Sequence, residues 1–294
     1  MSIFKGAGVA IITPFKDNGD INYEKFAEII EMQIQSGTDC IVVCGTTGEA
    51  ACLSEEEHFA AIKFCVEQVH HRIPVMAGAG SNSTRSAIYY SEEAEKVGAD
   101  ALLSVTPYYN KTTQRGLIEH FKDIAAAVSI PIVLYSVKSR TGLNIEPETV
   151  KELVDNVPNI VGIKEASGSL SQAEKIKSIC PEVELYSGDD ELTVPMMSIG
   201  GIGVISVVSN VAPRYVHDMC MKALNGDFET AAKMQLNEVD LVEALFCETN
   251  PIPVKEAMNM LGYGTGPLRK PLYPLSDEHR ERLRRSLKDF GLLK

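Results

Sequence analysis

One pattern recurs along the chain: a short apolar run, a break rich in Gly, Thr, Ser or Pro, a helical stretch, then a Gly or Pro before the next run. The runs are Val9–Ile12, Cys40–Val43, Val75–Ala77, Ala101–Val105, Ile132–Tyr135, Ile160–Ile163, Glu184–Tyr186 and Gly203–Val207. They are rich in Val and Ile and mostly lack polar alternation, the pattern of strands covered on both faces, as parallel strands are. Their starts are spaced by about 28 residues on average, the length of a β-loop-α-loop unit. Eight such units with no break in rhythm predict an α/β fold of the (β/α)8 or TIM-barrel type rather than an open doubly wound sheet.

Local signals agree with that rhythm. Ser54-Glu55-Glu56-Glu57 forms a capping box for a helix that runs to about Val69. Gly37 and Gly98 stand where glycines end helices before the second and fourth strands, and Pro147 suits a first helical position. After about Asn225 the strand-like runs stop. Asp227–Phe246, Pro253–Leu261 and Asp277–Phe290 read as helices, with Asn250-Pro-Ile-Pro253 as a rigid extended connector. The expected division is a barrel over 1–224 and a C-terminal helical appendage over 225–294 that is not an independent domain.

Composition narrows the function classes. The 294 residues include 28 Lys+Arg and 40 Asp+Glu, a formal charge of −12. That balance argues against nucleic acid, whose binding needs a basic face, and against an anionic membrane surface. No apolar run reaches the roughly 18 residues of a spanning helix, and Gly6 to Ile12 reads as a strand rather than a signal core. The seven Cys are scattered and form no C-x-x-C pair, which predicts buried reduced thiols in a cytoplasmic protein.

In such barrels the reactive groups lie at the C-terminal ends of the strands. There the chain places Thr13, Gly45-Thr46-Thr47-Gly48-Glu49, Gly78-Ala79-Gly80, Thr106-Pro107-Tyr108-Tyr109-Asn110, Tyr135, Lys164-Glu165, Ser187-Gly188-Asp189-Asp190 and Ser206. No His appears in this ring. Lys164 follows a fully apolar strand, so its amine belongs at the rim of a dry barrel. Burial disfavours an ammonium, and a neutral amine can attack a carbonyl to form a Schiff base; the bland alternative is a Lys that snorkels to solvent. Tyr135 stands at the same height one strand earlier, either as a proton relay or as an ordinary core Tyr. Thr46 and Thr47 offer two hydroxyls and successive N–H groups to a carboxylate, or make a plain turn. Arg140 is a bidentate carboxylate donor or a surface charge. Gly78-Ala-Gly80 lacks the third glycine of a dinucleotide loop, and Gly45–Glu49 lacks the Gly-Lys of a P-loop. Gly200-Gly201-Ile-Gly203 falls where some barrels bind phosphate, or only lets backbones approach. His58, His70 and His71 have no metal-ligand spacing, so no metal is expected.

Taken together, Gly45-Thr-Thr-Gly-Glu49, Pro107-Tyr-Tyr-Asn110, Tyr135 with Arg140-Thr-Gly142, Gly162-Ile-Lys-Glu-Ala-Ser167, Ser187-Gly-Asp-Asp190 and Glu248-Thr-Asn-Pro-Ile-Pro253 resemble the dihydrodipicolinate synthase family, within the N-acetylneuraminate lyase superfamily of class I aldolase-type barrels. The resemblance runs from about Gly8 to the C-terminus. It implies a lyase that condenses pyruvate with L-aspartate 4-semialdehyde to 4-hydroxy-tetrahydrodipicolinate, on the route to lysine and diaminopimelate. By the same resemblance Lys164 forms the imine with pyruvate and Tyr135 relays protons. Thr46 assists, as does Tyr109 reaching in from a neighbouring subunit. Thr46 and Thr47 hold the pyruvate carboxylate, Arg140 binds the carboxylate of the second substrate, and the Ile205 carbonyl lines the pocket. It implies no cofactor, a cytoplasmic location and a homotetramer of two tight dimers. One departure stands out: Ser136-Val-Lys-Ser-Arg140 replaces the usual Asn-Val-Pro-x-Arg. The missing Pro predicts a looser loop under Arg140. Rival readings are another pyruvate-dependent 2-keto acid aldolase and a non-catalytic barrel that binds a small carboxylate.

Overall fold

The computed structural model describes residues 2–294. Eight strands, β1 (Gly6–Ala10), β2 (Cys40–Val43), β3 (Val75–Gly78), β4 (Ala101–Val105), β5 (Ile132–Ser136), β6 (Ile160–Glu165), β7 (Glu184–Ser187) and β8 (Gly203–Ser206), alternate with helices. They pair in chain order and close into one barrel. Every pairing is parallel, including β1 with β8, where Gly6 stands opposite Gly203. The (β/α)8 architecture read from the spacing is the one observed.

Apolar residues on both strand faces follow from two separate cores. Ile41, Val43, Leu102, Leu134 and Ile163 point outward and pack with Phe26, Ile62, Phe121, Leu153 and Ile176 of the surrounding helices. Their alternates, among them Val42, Met76, Leu103, Val133 and Ile205, fill the barrel interior. Burying each such side chain contributes about 2 kcal/mol. The interior is closed at its N-terminal end by Phe4, stacked on Tyr186 with ring centres 4.5 Å apart. Gly8 makes room for that plug: a Cβ there would sit 2.8 Å from Phe4 Cζ.

The capping box at Ser54 and Glu57 forms as read. Gly37 and Gly98 take the left-handed backbone that ends their helices, with φ of +86° and +93°. Pro147 opens its helix. The first strand lies three residues earlier than Val9–Ile12. Its glycines hid it, and its end is set where the Ile12 N–H leaves the ladder for Asn210 Oδ1 (3.1 Å). Gly201 and Gly203 serve close backbone approach. A Cβ at Gly203 would lie 2.0 Å from the Gly6 carbonyl, and one at Gly201 2.8 Å from that of Met196.

The C-terminal region holds helices Phe228–Asn237, Val239–Leu245, Ile252–Met260 and Asp277–Asp289. Two expectations are corrected here. The Asp227–Phe246 stretch is broken at Glu238, where Gln235 donates both to Glu238 Oε1 (2.8 Å) and to the Asp190 carbonyl (3.0 Å). The Asn250–Pro253 connector is not extended throughout, because Ile252 and Pro253 already form the first helical turn. Pro fits there because the N–H it lacks has no helical acceptor in any case. All seven cysteines are free, five of them buried. Among the described residues no helix is long and apolar enough to cross a membrane, and no cluster of His, Cys, Asp and Glu is placed to hold a metal.

Candidate active site

Side chains along a strand alternate between the barrel interior and the helix layer, so register decides which residues can react. Between β5 and β6 the register begins with Ile132 opposite Ile160. It then places Val133 opposite Gly162, so β6 carries one extra residue at this point. Beyond the bulge Tyr135 stands opposite Lys164 and Ser136 opposite Glu165. Without the extra residue Lys164 would pair with Ser136, whose hydroxyl donates outside the barrel to Asn144 Oδ1 (3.1 Å). The bulge therefore turns Lys164 inward. It lies inside β6, one position further into the sheet than the sequence reading placed it.

Lys164 is 6% exposed and Tyr135 7%. The Lys164 Nζ lies 4.5 Å from the centre of the Tyr135 ring, and on its other side Lys164 is in register with Tyr186. Gly188 packs over the lysine stem: a Cβ there would meet Lys164 Cε at 3.0 Å and Ala166 Cβ at 2.5 Å. Only glycine leaves that stem its room. Asp189 lines the same space. Burial raises its carboxyl above the ordinary range, and the nearby Lys164 pulls the other way. Behind the sheet Glu165 points outward, accepting from the Ser167 N–H and Gln172 Nε2, both at 2.8 Å. Burial raises its carboxyl too.

The Lys164 amine opens into a cavity of about 190 Å³, whose other walls include Thr46, Thr47, Arg140 and Asn250. A larger, shallower depression of about 350 Å³ lies around Ile3, Arg72 and Asp100. It has no buried amine and no paired hydroxyls, so the smaller cavity is the candidate active site. Thr46 and Thr47 sit on a turn held at both ends by non-glycine residues in left-handed backbone, Cys44 (φ +54°) and Glu49 (φ +55°). Gly45 has open space where a Cβ would be. The Thr13 hydroxyl donates to the Gly48 carbonyl at 2.7 Å.

Asn250 ties the Thr47 hydroxyl and the Arg140 guanidinium together. Its Nδ2 donates to Thr47 Oγ1 (3.0 Å), and its carbonyl accepts from Arg140 Nη2 (3.0 Å). A hydroxyl that accepts from an amide keeps its own proton for another acceptor, so Thr47 can donate into the cavity. Arg140 lies on the short helix Lys138–Thr141, whose last turn closes through the Gly142 N–H to the Lys138 carbonyl (2.9 Å). Hydrogen bonds of the Thr141 hydroxyl with Thr106 and the Leu143 N–H brace that turn in place of the missing Pro.

The cavity thus brings together Lys164, Tyr135, Thr46, Thr47 and Arg140. Two expected residues stand apart. Tyr109 is 94% exposed with φ +69°, and is not a wall of this chain's own cavity. Ile205 lies fully buried in the interior cluster, and Val207 occupies the cavity wall on that side. Sequence alone gives Asn250 no role, although it lies within the Glu248–Pro253 motif. Its spatial partners are 203 and 110 residues away. Asp189 belongs to the ring of strand ends by sequence, with no role legible there. From sequence Gly188 is only a member of the Ser187–Asp190 run at a strand end.

The whole chain resembles known proteins. A model of the dihydrodipicolinate synthetase family matches residues 3–290. The 4-hydroxy-tetrahydrodipicolinate synthase of Thermoanaerobacter sp. (strain X514) is 55% identical over 100% of this chain and 99% of its own. That of Caldicellulosiruptor bescii is 52% identical over 99% of each chain. The crystal structure of dihydrodipicolinate synthase from Aquifex aeolicus, 46% identical, superposes with a TM-score of 0.96 over 98% of this chain and 99% of that one. With its closed eight-stranded barrel and a lysine on the inner face of β6, this chain belongs to the dihydrodipicolinate synthetase family.

Proposed function

We propose that this chain condenses pyruvate with L-aspartate 4-semialdehyde to give 4-hydroxy-tetrahydrodipicolinate and water. The observation that carries the reading is the buried Lys164 amine against the Tyr135 ring, in a cavity whose other walls offer hydroxyl and guanidinium donors to carboxylates. The unprotonated Nζ adds to the pyruvate keto carbon. Tyr135 relays protons as the carbinolamine loses water and the imine forms. Thr46 and Thr47 hold the keto acid's carboxylate, with Thr46 also assisting the relay. The imine nitrogen accepts electrons, so the pyruvate methyl loses a proton and becomes an enamine carbon. That carbon attacks the aldehyde of the second substrate, whose carboxylate pairs with Arg140. The substrate's own amine then displaces Lys164 from the imine carbon, closing the ring and freeing the enzyme.

No metal or cofactor enters this sequence, because the lysine itself supplies the electron sink. Tyr109, far too exposed for a tyrosine with a role in one chain alone, completes the cavity of a second copy in a homotetramer of two tight dimers. The free cysteines support a cytoplasmic setting. The barrel is the unit of 1–224, and 225–294 acts as its brace.

The test is borohydride reduction in the presence of pyruvate. Mass corresponding to the reduced pyruvate adduct is expected on Lys164 and on no other lysine. An unmodified Lys164 overturns the reading. A coupled assay comparing L-aspartate 4-semialdehyde with sugar-derived aldehydes then separates this reaction from that of other pyruvate-dependent aldolases.

A further inference from the structure

Glu49 ends the turn that carries Thr46 and Thr47. Its side chain leaves the cavity and enters the seam between barrel and C-terminal helices. One carboxylate oxygen lies 2.6 Å from Lys255 Nζ, and both side chains are closed to solvent, at 0% and 1% exposure. The other oxygen accepts the Arg269 N–H at 2.8 Å. Lys255 Nζ also sits 4.1 Å from the centre of the Phe15 ring. Lys255 belongs to the helix Ile252–Met260, which begins two residues after Asn250.

A fully buried ion pair adds little net stability, since apolar side chains of similar volume often do as well; its best-attested use is to fix geometry. Two observations make geometry matter here. Glu49 holds a left-handed φ of +55°, which a non-glycine residue keeps only where its surroundings impose it. Its N–H also donates to the Thr46 carbonyl at 3.1 Å, so the place of Glu49 sets the closure of the turn.

We infer that Lys255 is a positioning residue, whose ion pair with Glu49 locks the Thr46–Thr47 turn to the helix that follows Asn250. The threonine hydroxyls and Arg140 then face the cavity in one fixed arrangement. The inference rests on the reading that these threonines hold the keto acid's carboxylate. Lys255 is not a wall of the cavity and touches no substrate. Burial draws its ammonium down to about 8; Arg269 adds to that effect, while Glu49 and Cys52 oppose it. The pair therefore loses its proton on the alkaline side of neutrality, and the turn loosens as it does.

The experiment begins with borohydride trapping of pyruvate on the wild-type protein. It then measures pyruvate KM and kcat across pH for the wild type, Lys255→Met, and the double variant Lys255→Met/Glu49→Gln, which leaves no lone buried charge. In the double variant pyruvate KM is expected to rise about fivefold or more, with kcat within about threefold of wild type. The wild-type KM should climb as pH passes about 8, and that climb should vanish in the double variant. A folded double variant with wild-type KM and an unchanged pH profile overturns the inference alone. Should neither variant fold, a wild-type KM flat from about pH 7 to about pH 9.5 overturns it. Wild-type protein that traps no pyruvate overturns both the inference and the reading beneath it.

Discussion

The cavity wall that carries Lys164 and Tyr135 and the wall that carries Thr46, Thr47 and Arg140 are held in different ways. The first is sheet. Lys164 and Tyr135 are register partners on adjacent strands, and their orientation is settled by backbone pairing and one bulge. The second is an assembly of turns. Thr47 and Arg140 meet through Asn250, and the threonine turn is tied to Lys255 and Arg269 from more than 200 residues away. A nucleophile on a strand inherits the stiffness of the ladder. Donors on turns need partners from elsewhere, and here the C-terminal helices supply them. The 225–294 region thus contributes two wall residues of the cavity directly, Phe246 and Asn250, and steadies others from behind.

On that contrast, damage to the Lys164–Tyr135 sheet wall lowers turnover, and damage to the Thr47–Asn250–Arg140 part of the turn wall weakens binding. The largest effect is expected from Tyr135→Phe. The ring against Lys164 is kept and only the hydroxyl is lost, so kcat should fall about 100-fold with little change in pyruvate KM. Steady-state kinetics check this, and a loss confined to KM would break the comparison. Next comes Asn250→Ala. Its backbone carbonyl still accepts from Arg140, so the variant isolates the amide that donates to Thr47. Pyruvate KM should rise about tenfold, the loss of roughly one hydrogen bond, while kcat holds. An equal fall in kcat would mean that the two walls are not separable.

The smallest effect on activity is expected from Glu238→Gln, which touches neither wall. Burial and the nearby Asp190 push the Glu238 carboxyl from 4.5 up to about 9. The folded chain therefore keeps a proton that the unfolded chain releases. The stability this gives is complete below about pH 4.5 and is lost as pH rises towards about 9. An uncharged Gln avoids that loss, so the variant should gain on the order of 4 kcal/mol over wild type near pH 8 and about 1 kcal/mol or less near pH 5. Thermal melts at the two pH values measure the difference. A gain that is the same at both would show that Glu238 does not hold its proton.

Much of the sheet wall was legible beforehand. Ile160-Val-Gly-Ile163 announces a buried strand, and a Lys after it must sit near the barrel mouth. What spacing alone left open was the face. Strict alternation from Ile132 and Ile160 turns Lys164 outward, and only the extra residue in β6 reverses it. Less of the turn wall could be read. Thr46 and Thr47 are visible as a polar turn, but nothing local to Asn250, Lys255 or Arg269 says what they touch. A lysine inside Ile252–Met260 reads as a solvated charge until its carboxylate partner is found across the seam. The same distance effect hid the break at Glu238, where local helix propensity is undisturbed and the turn answers to Asp190 on another element.

The sequence by itself determined the barrel, because period, capping and apolar patterning act over a few residues and repeat eight times without conflict. It also determined which chemical groups stand at the strand ends. The tertiary structure alone decided which way Lys164 points, that Thr47 keeps its proton for the cavity, and that a buried Glu49–Lys255 pair joins the C-terminal helices to the threonine turn. Those outcomes depend on pairing register and on desolvated contacts between residues far apart in the chain, and no local pattern encodes either.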